Sequence, residues 1–217
     1  MGTPEVFQLV EALRGKTTMR QFARFSGSAA GRAILAERRS LLDRLNDHAR
    51  LERLPDGSLG RAYCDLLRGA GLSAEKLVQA SNIERPREID ELTWFRERNR
   101  DMHDLLHVVA GYGCDPLGEA CVVAFTYAQT GLKGFALIAV VAGMRIARRT
   151  GSLKALQAVY EAYRNGKRAA WLIDADWENL LPEQTAVLRE KFQVKTPVHY
   201  VPLVAGAVAS TATAPPG

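Results

Sequence analysis

A short segment of the sequence concentrates side chains that can bind a metal ion. His103 and His107 are four residues apart, Asp104 lies between them, and Glu119 follows a break that contains glycine and proline. Because each residue of a helix turns by about 100°, the two imidazoles lie one above the other on one face. Asp104 is three residues before His107 and falls on the same flank. If a helical hairpin returns the chain, we expect Glu119 to approach the histidine pair.

Two imidazoles and two carboxylates suit a divalent zinc, iron, manganese or magnesium ion. Nothing in the segment is soft enough to favour copper(I). Two of the four histidines of the chain fall in this pair. The combination favours a metal site over a solvated polar face.

Two enzyme classes share parts of this motif. The segment resembles the HExxH motif of zinc peptidases, but aspartate at the second position is one methylene too short to serve well as their general base. A His-Asp pair also occurs in metal-dependent phosphohydrolases, which need a further histidine upstream and an aspartate downstream. His48 and either Asp174 or Asp176 are the available candidates. A peptidase is therefore disfavoured, and a phosphohydrolase stays open as an alternative.

Helices are the elements that must position these side chains. Apolar residues recur at spacings of three, four and seven between Leu92 and Val109, which predicts an amphipathic helix over residues 88–110. Asp115 followed by Pro116 predicts the N-cap and first residue of the next helix. The remaining pattern predicts helical segments over residues 33–53, 117–130, 132–149, 152–165, 167–180 and 183–192, and a short helix beginning at Ser73.

The predicted fold class is all-α, a single multi-helix domain with short glycine and proline breaks. We expect this domain to cover residues 1–200 and residues 201–217 to form a disordered tail, because the tail is rich in Ala, Val, Ser, Thr and Pro. The segment over residues 132–147 is apolar almost all round. It is expected to be a core helix, with the lining of a lipid tunnel as the alternative.

Charge and composition restrict the partners. The net charge is +5, from 29 basic and 24 acidic residues. The sequence contains no run of five like charges of the kind that marks a nucleic-acid-binding tail. The mild surplus of basic residues suits a loose attraction to an anionic membrane surface. No apolar run approaches the roughly 20 residues that span a bilayer. The three cysteines lack the spacing of a disulfide framework or a thiolate zinc site, and no secretory leader or transit peptide is recognisable. We expect a cytoplasmic protein that associates peripherally with the inner face of the cell membrane.

The metal-binding segment resembles the motif of a known family. His103-Asp104-Leu105-Leu106-His107, followed by eleven residues and then Glu119, matches in full the spacing of the coenzyme Q (ubiquinone) biosynthesis family known as Coq-four. Further stretches are similar to the family at Gly31-Arg32, at Leu54-Pro55 through Leu59-Gly60 to Tyr63, and at Asp176-Trp177-Glu178. Together they cover about residues 27 to 200.

The resemblance implies an all-α domain whose metal ligands are His103, Asp104, His107 and Glu119, with iron or zinc as the divalent metal. It implies C1 decarboxylation and hydroxylation of a polyprenylated hydroxybenzoate, with the ligands also acting as the catalytic residues. The implied partners are the polyprenylated aromatic substrate, other ubiquinone biosynthesis proteins and a membrane surface. The sequence leaves the oligomeric state open, with a homodimer as one alternative. An alternative is a non-catalytic metal- and lipid-binding scaffold. A closed four-ligand site would favour the scaffold, and open coordination positions would favour the enzyme.

Overall fold

The computed structural model describes residues 4–71 and 90–202, with side chains from residue 16 onward. Every regular element within these ranges is helical, and the one extended feature there is an isolated bridge between Ser58 and Gln184. The all-α prediction is therefore confirmed. The helix predicted from Ser73 and the tail beyond residue 202 lie outside the described residues.

The helices are named here in chain order. They are α1 Pro4–Gly27, α2 Ala29–Glu37, α3 Leu41–Asn46, α4 His48–Leu51, α5 Leu59–Gly69, α6 Glu91–Asp101, α7 His103–Ala110, α8 Pro116–Thr130, α9 Lys133–Thr150, α10 Lys154–Arg168, a 3-10 turn Leu172–Asp174, α11 Trp177–Leu180 and α12 Thr185–Lys191. No helix in the described ranges is both long and apolar enough to cross a bilayer.

Helices α8, α9 and α10 pack against one another and form the centre of the fold. Small residues allow the close approach: a Cβ on Gly166 would lie 2.7 Å from the Phe125 carbonyl oxygen and 2.9 Å from the Ala128 side chain. The predicted break at Gly166, between the helical segments over residues 152–165 and 167–180, was wrong, because α10 continues through it to Arg168. The glycine is required for contact with α8. The helix predicted over residues 167–180 is also wrong, since only the 3-10 turn and the short α11 form there.

The predicted helix over residues 88–110 is interrupted at Met102, and within the described residues it begins at Glu91, after the N-cap Asp90. Helix α6 ends at Asp101 and α7 begins at His103, although backbone bonds from Met102 to Arg98 (3.0 Å) and from Leu106 to Met102 (3.1 Å) keep the two nearly continuous. Met102 itself is 1% exposed. The break leaves His103 as the first residue of a new helix.

The predicted helical segment over residues 33–53 is not continuous. It consists of the C-terminal part of α2 followed by the short helices α3 and α4. Arg38 ends α2 in the left-handed region with φ of 44°, and its N–H bonds the Leu35 carbonyl. Ser40 then caps α3 and Asp47 caps α4 through side-chain hydrogen bonds. Caps that compete with the helical backbone explain why good helix formers do not form one long helix here.

Helix α9 has three different environments along its length. Its N-cap Leu132 and its first-turn Phe135 line a cavity. Ala139 and Gly143 are buried against the neighbouring helices. Four large apolar side chains are exposed: Leu137 by 42%, Val140 by 50%, Val141 by 43% and Met144 by 38%. The expectation of a wholly buried core helix is therefore correct for one face only.

A buried ion pair joins α6 to α11. The side chains of Arg98 and Glu178 are 3% and 2% exposed and form a bidentate pair, with Arg98 Nη2 2.8 Å from Glu178 Oε2. Arg98 Nη2 also donates to the Ala175 carbonyl at 3.2 Å. The pair connects the helix before the metal-binding motif to the later part of the chain.

We predict that Arg98→Met lowers the free energy of unfolding by about 3–5 kcal/mol, because it leaves the Glu178 carboxylate buried without a counter-charge. Urea denaturation measures the change. Arg96→Met on the exposed side of α6 is the matched control and is expected to change stability by less than about 0.5 kcal/mol. Equal effects of the two substitutions would contradict the importance of the ion pair.

Candidate metal centre

His103 and His107 lie on α7 with their side chains directed to a common point. The two Nε2 atoms are 3.3 Å apart, and the rings meet edge to face at an interplanar angle of 84°. The His107 side chain is 1% exposed and that of His103 is 33% exposed. One imidazole is thus fixed in the interior, and the other borders open space.

The orientation of His107 follows from two backbone carbonyl groups. Its Nδ1 lies 3.1 Å from the carbonyl oxygens of both Tyr112 and Gly113. A carbonyl oxygen can only accept, so Nδ1 carries a hydrogen, and Nε2 is the nitrogen that can bind a cation once its own proton is displaced. The chain returns to supply these carbonyls because Gly111 ends α7 with φ of 78°, a conformation that favours glycine.

Glu119 is brought to the histidines by the start of α8. Asp115 caps this helix by accepting from the N–H groups of Leu117 at 3.0 Å and Gly118 at 3.4 Å, and Pro116 is its first residue. The predicted cap is therefore confirmed. A Cβ on Gly118 would lie 1.9 Å from the Gly113 carbonyl oxygen, so only glycine allows the turn to pack on the helix.

The ligand atoms of three side chains lie close enough together to hold a divalent cation. Glu119 Oε2 lies 3.5 Å from Nε2 of His103, Glu119 Oε1 lies 3.5 Å from Nε2 of His107, and one ligand atom from each side chain lies within 4.8 Å of the other two. Ligand atoms about 2.1 Å from one ion, at tetrahedral angles, lie about 3.4 Å from one another. The described residues contain this one group of three or more histidine, cysteine or acidic side chains able to hold a metal. The group could hold a divalent ion, and its chemistry does not select between zinc and iron.

The electrostatics of the group are those of a site that needs a positive charge. Burial alone would raise the pKa of Glu119, but hydrogen bonds from His103 and His107 outweigh burial and lower it to about 2. Burial alone would lower the pKa of His107, but the hydrogen bond and charge of Glu119 outweigh burial and raise it. A carboxylate that stays ionised and holds a proton on a neighbouring imidazole is well suited to accept a cation in place of that proton.

Asp104 is not a member of this group of ligand atoms. It lines the same cavity as His103, and burial raises its pKa against the lowering effect of His103 and His107. The structure therefore brings together His103, His107 and Glu119 and leaves Asp104 beside them. Its predicted role as a fourth ligand stays a prediction.

A cavity of about 800 Å³ borders the site at His103 and Asp104. Its wall is largely apolar and includes Leu45, Phe95, Met102, Leu106, Leu132 and Phe135. Pockets of about 300–1,000 Å³ with apolar walls and a few polar groups are typical of small-molecule sites. The candidate metal group thus lies at the wall of a space that can hold an apolar molecule.

The additional residues of the phosphohydrolase hypothesis have other partners. His48 stacks on Tyr63 and contacts Cys64 at 4.0 Å. Asp176 pairs with Arg39 at 2.6 Å. Neither these residues nor Asp174 belongs to the metal-capable group of the described chain.

Sequence reasoning missed the residues that hold the ligands in place. The Tyr112 and Gly113 carbonyls carry no side-chain pattern, and Tyr200 reaches the same loop from 85 positions beyond Asp115. The glycine at position 118, directly before the predicted ligand, was the available indication that the two helices approach closely here.

The family of the chain is established by comparison with known proteins. Residues 6–198 match the family model described as "Coenzyme Q (ubiquinone) biosynthesis protein Coq4". The chain belongs to the Coq4 family. Its members take part in ubiquinone biosynthesis, and the resemblance inferred from the motif is confirmed.

Curated members of the family are similar along most of the chain. The mitochondrial COQ4 homologue of Mus musculus is 31% identical over 173 residues, covering 79% of this chain and 63% of the mouse protein. That of Danio rerio is 29% identical over 191 residues, covering 86% and 69%. The chain thus spans about three-fifths of the length of the mouse relative. These relatives are mitochondrial by name, which differs from the cytoplasmic, cell-membrane location expected from the sequence.

A solved structure has the same fold. The crystal structure of a protein from Nostoc punctiforme, named for ubiquinone biosynthesis, superimposes with a TM-score of 0.61 at 24% identity over 90% of each chain. At this identity the likeness concerns the fold alone.

We predict that Gly118→Ala weakens binding of Zn²⁺ at least about tenfold, because the new Cβ displaces the start of α8 and hence Glu119. A competition assay with a chromogenic chelator measures the affinity. Gly69→Ala is the matched control, since a Cβ there meets nothing within 4 Å. Unchanged affinity in Gly118→Ala would contradict the close packing described for the turn.

Proposed function

We propose that the chain carries out metal-dependent oxidative decarboxylation of a polyprenylated hydroxybenzoate in ubiquinone biosynthesis. The observation that carries the proposal is the position of the group formed by His103, His107 and Glu119 at the wall of an apolar cavity. Family membership supplies the pathway. The cavity and the ligand group support an enzyme within that pathway.

The number of converging ligands supports a catalytic ion over a structural one. Structural zinc sites are closed by four protein ligands, and catalytic sites use about three and keep a position for substrate or water. Here three side chains converge, and the exposed fractions of 33% for His103 and 47% for Glu119 leave one side open. The non-catalytic scaffold would call for the closed arrangement.

The reaction replaces the ring carboxylate at C1 with a hydroxyl group. The C1–carboxylate bond breaks and carbon dioxide leaves, and a C1–oxygen bond forms with one atom of dioxygen. The second oxygen atom leaves as water, which requires two protons and two electrons from a separate two-electron donor. Bound iron would supply both Lewis-acid and electron-transfer chemistry beside the ring, whereas bound zinc would supply only the Lewis-acid part.

The residues of the chain have separate tasks in this proposal. The apolar cavity wall binds the prenyl tail and the ring and excludes water. His107, fixed by its carbonyl partners, would hold the ion from the interior, and His103 and Glu119 would complete the ligand set at the open side. Asp104 lines the cavity one residue from His103, where its carboxylate can accept the proton of a substrate phenol.

Metal content is the first test of this proposal. We expect protein purified under low oxygen without added metal to contain about one equivalent of iron or zinc, and His103→Ala and Glu119→Ala to lose it. His199→Ala is the control, because His199 is exposed and outside the ligand group. Metal retained in both ligand variants would show that the assignment is wrong.

Substitution of Asp104 distinguishes a role as a metal ligand from a role as a proton acceptor. We expect Asp104→Asn to retain the metal that His103→Ala loses and to reduce oxygen-dependent decarboxylation by about 10²–10⁴-fold, the usual contribution of a general base. Elemental analysis and single-turnover product formation measure the two effects. Metal loss equal to that of His103→Ala would instead make Asp104 the fourth ligand, and full activity with metal would remove it from the mechanism.

Peripheral membrane association is part of the proposal and is supported by α9. Its exposed apolar side chains follow one helical face, with Lys133 before them and Arg148 after them, and the helix contains no acidic residue. Basic side chains around an apolar face suit an anionic lipid surface. In a pair of copies meeting through this face, either parallel or antiparallel, basic ends would meet basic ends, so a lipid surface fits the charges better.

We predict that Val140→Ser combined with Met144→Ser weakens binding to vesicles containing phosphatidylglycerol at least about fivefold, because less apolar surface is buried in the bilayer. Vesicle co-sedimentation measures the binding. Val187→Ser is the control, since Val187 is 51% exposed on another helix. A change in oligomeric state with unchanged vesicle binding would assign the face to a homodimer.

A further inference from the structure

Tyr200 reaches the turn between α7 and α8, residues 111–115, from a distant part of the sequence. It lies after α12 in a non-helical segment, and its ring packs edge-on against Tyr112 at a centroid distance of 5.3 Å. Its hydroxyl group donates a short hydrogen bond to Asp115 Oδ2 and accepts one from the Gly113 N–H at 2.9 Å. One hydroxyl group therefore joins the middle of the turn between α7 and α8, at Gly113, to its last residue, Asp115.

The two partners of this hydroxyl group control different ligands. Gly113 uses its carbonyl to accept from Nδ1 of His107 at 3.1 Å. Asp115 uses its other carboxylate oxygen to cap α8, the helix that carries Glu119. Tyr200 thus contacts the residue that orients one ligand and the residue that starts the helix of another.

We infer that Tyr200 is a positioning residue for the metal centre, whose hydroxyl group holds the 112–115 loop in the conformation that aligns His107 with Glu119. The inference rests on the proposed metal site. Tyr200 touches neither ligand, so its effect passes through Gly113 and Asp115. Groups that orient metal ligands in this way commonly set the affinity of a site.

The backbone of the loop packs closely against the hydroxyl group. A Cβ on Gly113 would lie 2.8 Å from the Tyr200 oxygen, so the loop backbone is packed directly against this atom. Without the hydroxyl group, a partly buried N–H and a carboxylate oxygen both lose a partner. Burial and the Asp115 carboxylate raise the pKa of the Tyr200 phenol, so the group remains a donor.

The test compares Tyr200→Phe with the unmodified chain, using Zn²⁺ affinity by chelator competition and the visible absorption spectrum of bound Co²⁺. We expect about 10- to 100-fold weaker Zn²⁺ binding and a changed Co²⁺ band, because the ligand geometry relaxes. The spectrum reports coordination geometry, which loss of stability alone does not alter.

Gln129→Leu is the matched control for a general loss of stability. The Gln129 side chain is buried and makes two hydrogen bonds with backbone groups, to the Gly166 carbonyl at 2.7 Å and from the Leu172 N–H at 2.8 Å, at the far end of α8 from Glu119. We expect this variant to unfold more easily and to keep the Zn²⁺ affinity and the Co²⁺ spectrum.

The outcomes separate this inference from the function on which it rests. If the unmodified chain binds Zn²⁺ and His103→Ala does not, but Tyr200→Phe binds with unchanged affinity and spectrum, only the role of Tyr200 is overturned. Equal loss of affinity in Gln129→Leu and Tyr200→Phe would also overturn it. If the unmodified chain and His103→Ala bind alike, the metal centre and the role of Tyr200 both fail.

Discussion

The candidate metal centre depends on one close backbone contact, between the Gly113 carbonyl and the start of α8 at Gly118. This contact leaves no room for a Cβ at position 118. It brings Glu119 over α7, and the Gly113 carbonyl meanwhile orients His107. One short turn therefore both places Glu119 and orients His107. The Glu119 carboxylate on α8 lies beside the two imidazoles on α7 because the backbone at Gly118 packs directly against the Gly113 carbonyl.

The rest of the fold supports this turn from three directions. The Arg98–Glu178 pair connects α6, which leads into α7, to the later part of the chain. Arg189 on α12 donates to the carbonyls of Val108 and Val109 at 2.9 Å each, and so satisfies the C-terminal end of α7. Tyr200 holds the turn itself. These contacts hold the turn in place from several elements, while His103 remains 33% exposed beside the cavity.

Local patterns were sufficient to predict the motif and much of the helix content. The spacing of His103, His107 and Glu119 and the Asp115–Pro116 start of α8 depend on neighbouring residues, and sequence reasoning found them. Gly166 could not be interpreted in this way, because its reason is contact with α8, which is distant in sequence. The same applies to Tyr200. Asp104 shows a second limit: helical spacing places it near the histidines but does not indicate which of these side chains converge with Glu119, and its role as a ligand stays a prediction.

The central claim is that His103, His107 and Glu119 bind one divalent ion, and anomalous diffraction from crystals of the full chain tests it most directly. Data collected on either side of the absorption edge of the bound metal are predicted to show one strong peak between the Nε2 atoms of His103 and His107 and the carboxylate of Glu119. A peak bound to other residues, or no peak in crystals whose protein contains metal by elemental analysis, would contradict the account.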